Sequence, residues 1–230
     1  MDFDISEFDT SNFLLPSYNM PSILIIGRDI NERKDLIKLI MEQFVSKYGI
    51  VISKEHCFYE TFLPNIKKHA IYNNAYLRDH MNEFIYYNTQ NLMLPVERDL
   101  RSYVILDDCF DHPEMHHVEG SFYKYLCDHK LFKAYPFICT TSMPINLIPE
   151  VKYRFDYVIL LHEPEDVMKK QYYYHYADMF RTYEDFNNVM FKLTKINSNM
   201  LLDFRCKSSN FTDKVYRIGK NLIPSFNTNS

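Results

Sequence analysis

Five short apolar runs, separated by stretches with helical periodicity, constrain the fold of this chain more than any other feature. They lie within "SILIIG", "GIVISK", "SYVILDDC", "YPFICTTS" and "FDYVILLHE". Continuous apolar strands are typical of parallel sheets, because helices cover both faces of such a sheet. The alternation of strand and helix therefore predicts an α/β fold with a mostly parallel sheet and helices on both faces.

The helical stretches are predicted from apolar residues at helical spacing. The clearest stripe predicts a helix from about Glu32 to Lys47 and consists of Leu36, Ile37, Ile40, Met41, Phe44 and Val45. Further helices are predicted over about 75–92, 120–133, 165–180 and 183–195. The segments "MLLDFR" and "KVYRI" predict two short extra strands at the C-terminus.

Length and composition favour one compact domain. A chain of 230 residues with 47% hydrophobic content can bury a sizeable core, and we assign that domain to residues 21–220. Residues 1–20 are polar with interspersed aromatics and predict an irregular arm lying over the core. Residues 221–230 are predicted to be a flexible tail.

Charge and cysteine content narrow the function classes. The formal net charge of -4 and the pI near 6.1 give no global basic field, so composition alone does not predict DNA binding. Five cysteines form no C-x-x-C pair, which favours reduced thiols and an intracellular protein. The acidic N-terminus and the lack of an apolar run of roughly 20 residues predict neither secretion nor membrane insertion.

Polar residues follow three of the predicted strands, at the ends where parallel sheets bind ligands. These residues are Gly27, Asp107 with Asp108, and Thr141 with Ser142. An apolar strand followed by two acids has the form of a Walker B motif. In that interpretation Asp107 holds Mg²⁺ through water and Asp108 orients or deprotonates the attacking water. A strand that leaves the core and caps the next helix would have the same sequence.

The segment after Gly27 has the layout of a phosphate-binding loop but not its residues. In the pattern G-x-x-x-x-G-K-[ST], Glu32 replaces the second glycine, Arg33 the lysine and Lys34 the hydroxyl. Glutamate adds a β-carbon and a negative charge, arginine lacks the compact ammonium, and lysine cannot bind Mg²⁺. The chain has only four glycines, all scattered. An ordinary strand-turn-helix is the simpler interpretation of this segment.

A register shifted by one residue would offer Lys34 to the phosphates and Asp35 to the metal, in a loop one residue longer that still lacks the glycine. Two shapes of the loop remain open. It is either an open concavity with amides converging after Gly27 or a collapsed turn filled by the side chains of Asp29 and Glu32.

Two other clusters have plainer interpretations. "CFDHPEMHH" places histidines between His112 and His117, but Pro113 favours a turn, and no distant ligand pair completes a zinc site. A solvated loop is the better interpretation. "QYYYHYADMF" resembles a base-stacking surface, yet it has few basic neighbours, so burial of alternate tyrosines on a helix is favoured.

Taken together and in this order, four segments resemble the genome-packaging ATPases of nucleocytoplasmic large DNA viruses, the poxvirus-type branch of the FtsK/HerA superfamily. They are "PSILIIGRDINERKDLIKLI", "YVILDDC", "ICTTSMPINLIPEVKYRFDYVILLHE" and "YYYHYADMFRTYEDFNNVM". The resemblance covers about residues 20–218. It implies a P-loop NTPase fold that assembles as a ring, hydrolyses ATP with Mg²⁺ and drives double-stranded DNA into a capsid.

The resemblance also implies roles for individual residues. Asp107 matches the Walker B aspartate, Asp108 the catalytic acid and Gly27 the first P-loop glycine. Ser142 stands where the family usually has a polar sensor, commonly glutamine. Lys152 stands where the family's arginine is expected, and Arg154 could serve instead.

Three hypotheses follow. The leading one is a packaging-ATPase-like protein with a degenerate Walker A motif and weak or lost hydrolysis, acting in genome packaging or virion assembly. The second is an active Mg-ATP-dependent motor with a non-standard loop. The third is a metal-dependent hydrolase using Asp107, Asp108 and nearby histidines, or a non-catalytic structural protein. Expected partners are double-stranded DNA, copies of the chain in a ring or an active paralogous ATPase, and capsid or portal components. The expected location is the host cytoplasm, in viral factories, or the virion.

Overall fold

The computed structural model describes residues 5–14, 21–44, 49–63, 66–91, 102–116, 120, 122–126, 136–145, 147 and 149–219. Within them lies one sheet with the strand order β3-β2-β4-β5-β1-β6-β7-β8. The strands are β1 (Ser22–Ile26), β2 (Gly49–Ile52), β3 (Ile66–His69), β4 (Val104–Asp107), β5 (Phe137–Thr141), β6 (Tyr157–Leu160), β7 (Ser198–Asp203) and β8 (Val215–Gly219). Neighbours from β3 across to β6 are parallel, whereas β7 and β8 are antiparallel. The predicted α/β class and the two extra C-terminal strands are confirmed.

The described helices follow the predicted order with different boundaries. They are α1 (Ile30–Met41), α2 (His56–Tyr59), α3 (Asn74–Asn91), α4 (Pro149–Lys152), α5 (Asp166–Tyr176) and α6 (Tyr183–Lys195). Short 3-10 helices span Thr10–Leu14, Pro113–His116 and Phe211–Asp213. Residues 122–126 are also helical, while the rest of the predicted 120–133 helix, apart from Gly120, lies outside the described residues.

The predicted bounds of the first helix were wrong at both ends. The helix begins at Ile30 rather than near Glu32, because the carboxylate of Asp29 caps its first turn. It ends at Met41, and a turn follows over residues 42 and 43. The described part of the stripe, from Leu36 to Phe44, is buried as expected, and it packs with Ile23 and Ile25 of β1. Val45 lies outside the described residues.

Sequence patterns missed β3 and the one-turn helix α2. In the described residues β3 pairs only with β2, and the side chains of its central residues, Lys67 and Lys68, are exposed. Both lysines make ion pairs, with Glu83 and Glu60 respectively. A charged edge strand has no apolar pattern to reveal it, and its charges discourage pairing with other chains.

The sheet has an apolar layer on each face. Alternate residues of β1 point to opposite layers, with Leu24 and Ile26 in one and Ile23 and Ile25 in the other. α1 packs in the second layer. α3, α5 and α6 pack in the first layer through Leu77, Met81, Tyr172, Tyr176, Phe186, Val189, Met190 and Leu193. This two-sided burial explains the continuous apolar runs of the central strands β1, β2, β4, β5 and β6.

The described part of the N-terminal arm, residues 5–14, lies on the second layer. Phe8 and Phe13 are buried there against Tyr157 of β6. The backbone beside Phe8 also joins β8 through a bridge between Glu7 and Arg217. Residues 1–4 and 15–20 of the arm and the predicted tail at 221–230 lie outside the described residues.

Membrane insertion finds no support among the described helices. None of them combines the length and the apolar character needed to cross a bilayer.

Gly27 is required by packing rather than by backbone conformation. Its amide extends the ladder of β1 by donating to the Thr141 carbonyl at 3.0 Å, and its φ is not positive. A β-carbon at this position would lie 2.4 Å from Cβ of the buried Leu161. Gly27 therefore lets Leu161, the residue that directly follows β6, approach the end of β1 closely.

We expect Gly27→Ala to lower the free energy of unfolding by about 1–3 kcal/mol, because the added methyl overpacks against Leu161. Urea denaturation of the purified chain measures this. In a Leu161→Ala background the same glycine substitution should cost clearly less, since the obstructing side chain is gone. Equal costs in the two backgrounds would contradict the packing role.

Candidate functional site at the carboxyl edge of the sheet

Asp107 ends β4 with both carboxylate oxygens bonded to hydroxyl groups. The Thr140 hydroxyl donates to Oδ1 at 2.5 Å, and the Ser53 hydroxyl donates to Oδ2 at 2.8 Å. Thr140 lies opposite Asp107 on β5, and Ser53 directly follows β2. Asp107 is almost fully buried. The two bonds therefore compensate for removing its carboxylate from water.

Asp108 turns away from the strand and is held from two sides. Its φ of 55° lies in the left-handed region, which aspartate tolerates better than most residues. Its Oδ1 accepts a hydrogen bond from the Ser142 amide at 2.9 Å, and its Oδ2 lies 3.4 Å from Nη2 of Arg33. The side chain is still 38% exposed. Asp108 thus combines a fixed position with access to water.

The segment between β1 and α1 is a tight turn of three residues, Gly27 to Asp29. The Asp29 carboxylate accepts hydrogen bonds from the amides of Asn31 and Glu32, both at 3.0 Å. These amides belong to the positive end of the helix, where a phosphate would otherwise bind. Of the two loop shapes left open by the sequence, the structure has the collapsed turn. Asp29 fills it, whereas Glu32 accepts a bond from Asn199 on β7.

Arg33 connects the turn to the acid pair. It is 1% exposed, and its Nη1 donates to the Gly27 carbonyl at 2.5 Å while Nη2 faces Asp108. Its Nε is buried and has no hydrogen-bond partner in the part of the chain that the structure describes. Gly27, Arg33 and Asp108 are therefore brought together as the sequence predicts, but the guanidinium binds protein groups.

The residues of the shifted register do not lie at the turn. Lys34 Nζ is 3.5 Å from the Glu55 carboxylate and 5.0 Å from the centre of the Phe58 ring, so it points toward α2. Asp35 lies on the exposed face of α1.

A second arginine, which the sequence analysis did not single out, fastens the turn to the segment after β6. Arg28 binds Glu163 through two nitrogen atoms, at 2.5 and 3.1 Å, and Glu165 at 2.7 Å. The Glu163 side chain is only 1% exposed, and it also accepts a bond from the Glu165 amide. The acid at the end of "FDYVILLHE" was the available clue, because that strand neighbours β1 in the sheet.

Lys152 and Arg154 lie near the opposite edge of the sheet. The Arg154 carbonyl accepts a bond from the Ser22 hydroxyl at the start of β1, and the arginine side chain is exposed. Lys152 Nζ lies 3.0 Å from the Asp178 carboxylate. The fold therefore does not bring these two residues to Asp107 and Asp108 within one copy of the chain.

A cavity of about 160 Å³ opens beside the acids, on the side of β2 and β3. Its lining includes Lys54, Tyr72 and His112 together with Asp107 and Asp108. Small-molecule pockets usually measure about 300–1,000 Å³, so this cavity does not suit a nucleotide. The two acids and His112 do not converge as a three-ligand metal group within the described ranges. The side chain of His116 and all of His117 lie outside the described residues.

Burial sets the protonation of the groups beneath this cavity. Tyr59 is fully buried, and burial together with the nearby Asp107 carboxylate raises the pKa of its hydroxyl. The hydroxyl nevertheless does not reach hydrogen-bonding geometry with any described group. Burial likewise raises the pKa of Cys109, whose thiol donates to the Ile52 carbonyl at 3.3 Å. Both groups remain protonated near neutral pH and are unsuited to act as nucleophiles.

The tyrosine-rich segment on α5 is partly core. Tyr172 and Tyr176 are fully buried, whereas Tyr174 is 72% exposed. Burial at a spacing of four residues matches the plainer of the two interpretations that the sequence allowed.

The residues at this edge do not fit an ATP phosphate with Mg²⁺. A carboxylate occupies the amides at the start of α1, Arg33 is bonded to Gly27 and Asp108, and Lys34 has no oxygen to offer the metal. What remains from the predicted site is the Asp107–Asp108 pair and its hydroxyl partners.

Comparison with solved structures identifies the fold. The genome packaging NTPase of Sulfolobus turreted icosahedral virus 2 matches with a TM-score of 0.56 in complex with AMP and 0.59 in complex with sulfate. The AMP complex is 12% identical, and the match covers 88% of this chain and 98% of the other. The sulfate complex is 13% identical, and the match covers 84% of this chain and 95% of the other. A conjugation coupling protein, TcpA, matches at a TM-score of 0.52 and 10% identity over 87% of this chain and 60% of its own. The chain therefore has the fold of these solved structures, as the sequence resemblance implied.

Sequence comparison finds relatives in large DNA viruses. An uncharacterised protein of Acanthamoeba polyphaga mimivirus is 26% identical over 223 residues, which covers 93% of this chain and 76% of the relative. An uncharacterised protein of Invertebrate iridescent virus 3 is 23% identical over 238 residues, covering 94% of this chain and 82% of the relative. No family model matches the sequence.

We expect Asp29→Ala to lower the free energy of unfolding by about 0.5–2 kcal/mol, because two amides of α1 lose their acceptor. Asp29→Asn should retain most of the stability, since its side-chain oxygen can still cap the helix. Asp35→Ala, on the exposed face of the same helix, is the matched control and should stay within about 0.5 kcal/mol. Urea denaturation compares the variants. An Asp29→Ala protein as stable as the Asp35→Ala protein would show that the cap is not formed in solution.

Proposed function

We propose that this chain is a packaging-ATPase-like protein of a large DNA virus with weak or lost ATP hydrolysis. It acts in genome packaging or virion assembly as a regulatory or structural companion of the packaging machinery. The fold and the viral relatives support the first part of this proposal. The geometry at the start of α1 supports the loss of catalysis.

The observation that carries the proposal is the Asp29 cap. P-loop NTPases bind phosphate through backbone amides at a helix N-terminus that follows a glycine-rich loop. Here the loop has three residues, and a carboxylate of the chain itself accepts from two of those amides. A bound phosphate would have to displace this anion from the start of the helix.

The arginine in the lysine position supports the same conclusion. Arg33 supplies a positive charge, but its guanidinium bridges the Gly27 carbonyl and the Asp108 carboxylate across the turn. A phosphate-binding lysine must be free to reach the ligand, whereas this arginine is buried among protein groups. We infer that the Arg33–Asp108 pair stabilises the closed turn and is a structural remnant of a nucleotide site.

An active motor would have to recruit Lys34. That lysine is bound to Glu55 and lies over Phe58, so it would need to leave α2 and turn toward Gly27. An active motor that uses Lys34 is the alternative that nucleotide binding would distinguish.

The companion role assigns the partners. Double-stranded DNA, further copies of this chain in a ring, an active paralogous ATPase and capsid or portal components are the proposed partners. With a net charge of -4, contact with DNA would depend on a local basic surface or on assembly. The proposed locations are the viral factory in the host cytoplasm and the virion.

We expect Mg-ATP at millimolar concentration to leave the thermal unfolding midpoint of the purified protein unchanged. A ligand present at a hundred times its Kd would stabilise the folded state by about 2.7 kcal/mol, which is easily detected in a chain of this size. We also expect any phosphate release, with or without double-stranded DNA, to be the same in the wild type and in Asp108→Asn.

The same experiment distinguishes the alternative. Stabilisation by Mg-ATP that is lost in Lys34→Ala but kept in Arg33→Ala would support the shifted register. Turnover abolished by Asp108→Asn would refute the inactive interpretation.

A further inference from the structure

The one-turn helix α2 carries three potential metal ligands that the nucleotide question does not involve. His56 and Cys57 lie in α2, and Glu60 follows its last residue. One donor atom from each residue lies within 4.8 Å of the other two. In the described part of the chain this is the only such group of three histidine, cysteine or acidic side chains.

The backbone explains why these side chains converge. Residues three and four apart lie on the same face of a helix, so Cys57 and His56 both neighbour Glu60. Two ligands of a tetrahedral zinc ion are separated by roughly 3.3–3.8 Å, given bond lengths of about 2.0–2.3 Å. Rotamer adjustments of two exposed side chains are enough to close the remaining gap.

The donor set selects a class of metal. A thiolate, an imidazole and a carboxylate suit zinc and similar borderline transition metals, whereas Mg²⁺ and Ca²⁺ prefer oxygen ligands alone. The group is therefore chemically distinct from the acids at the end of β4.

One feature of the surroundings points to a ligand, and a second has to give way to it. The Nδ1 atom of His56 is buried and has no hydrogen-bond partner among the described residues, although Cys57 and Glu60 are exposed. The carboxylate of Glu60 already holds one cation, the ammonium of Lys68 on β3. Lys68 is half exposed and can withdraw into solvent when a metal ion takes its place.

We propose that His56, Cys57 and Glu60 form a binding site for one zinc-type transition-metal ion, with the fourth position open to water or to a partner protein. The site fastens the segment that covers the buried acid. Ser53 before α2 and Tyr59 within it both lie at Asp107, and Phe58 lies beneath Lys34. Metal binding thereby stabilises the side of the cavity formed by β2 and β3.

Cobalt titration of the chelator-treated full chain tests the site. We expect one Co²⁺ per chain, with the sulfur-to-cobalt charge-transfer absorption that reports a thiolate ligand, and displacement of that ion by Zn²⁺. Cys57→Ser should abolish this absorption. Cys206→Ser, which changes another accessible thiol, should leave it intact. Circular dichroism of each variant shows that the exposed substitutions leave the fold unchanged.

Two further variants probe the carboxylate ligand and the lysine that competes with the metal for it. Glu60→Gln should weaken zinc binding by at least about tenfold. Lys68→Met should strengthen it, because the competing ammonium is removed. Absence of bound metal in the wild type, or a thiolate absorption that persists in Cys57→Ser, would overturn the proposal. Neither result depends on whether the protein binds ATP, so this site and the proposed function stand or fall separately.

Discussion

The rest of the structure depends on the pairing of β1 with β5 on one side and β6 on the other. Both partners are parallel to β1, so its carboxyl end meets theirs at one edge of the sheet. β4 joins β5 in the same direction, so only β5 separates Asp107 and Asp108 from Gly27 in the sheet. The absence of a side chain at Gly27 leaves room for Leu161, whose amide donates to the Ile26 carbonyl at 2.9 Å. A site at this edge is a consequence of strand order, whether or not it still performs chemistry.

The charges at that edge form closed pairs. Arg33 lies between the Gly27 carbonyl and Asp108, Arg28 binds Glu163 and Glu165, and Asp29 accepts from the first amides of α1. Each charged group is compensated by the chain itself, and burial makes such compensation necessary for Arg33 and Glu163. An enzyme site usually leaves a positive group directed at the place of the substrate phosphate. At this edge both arginines are directed at carboxylates.

Sequence patterns predicted what depends on burial and missed what depends on local polar bonds. The apolar runs predicted five of the strands, because continuous burial leaves a strong pattern. The two acids at the end of β4 predicted where the candidate site lies. The strand β3 was missed because its lysines carry no apolar signal. The start of α1 was misplaced because a cap depends on where one carboxylate points, and a propensity pattern does not record that. The roles of Ser53, Thr140 and Arg28 come from neighbours far away in sequence, which only the strand order reveals.

Under the proposed function, the free-energy cost of opening the turn shows how much nucleotide affinity its closed shape removes. Replacing the Asp29 cap by a phosphate would forfeit about 0.5–2 kcal/mol, which weakens apparent binding by roughly two- to thirtyfold. The Lys34–Glu55 pair is long, at 3.5 Å, and its glutamate is more than half exposed, so solvent screens it and it adds a smaller amount to this cost. Closure alone would therefore leave a weak nucleotide site rather than none. The larger part of the proposed loss comes from the residues themselves, since Arg33 is bonded to Gly27 and Asp108 and Lys34 cannot bind Mg²⁺. Under the proposed function, the residues of the turn therefore account for more of the loss than its closed shape does.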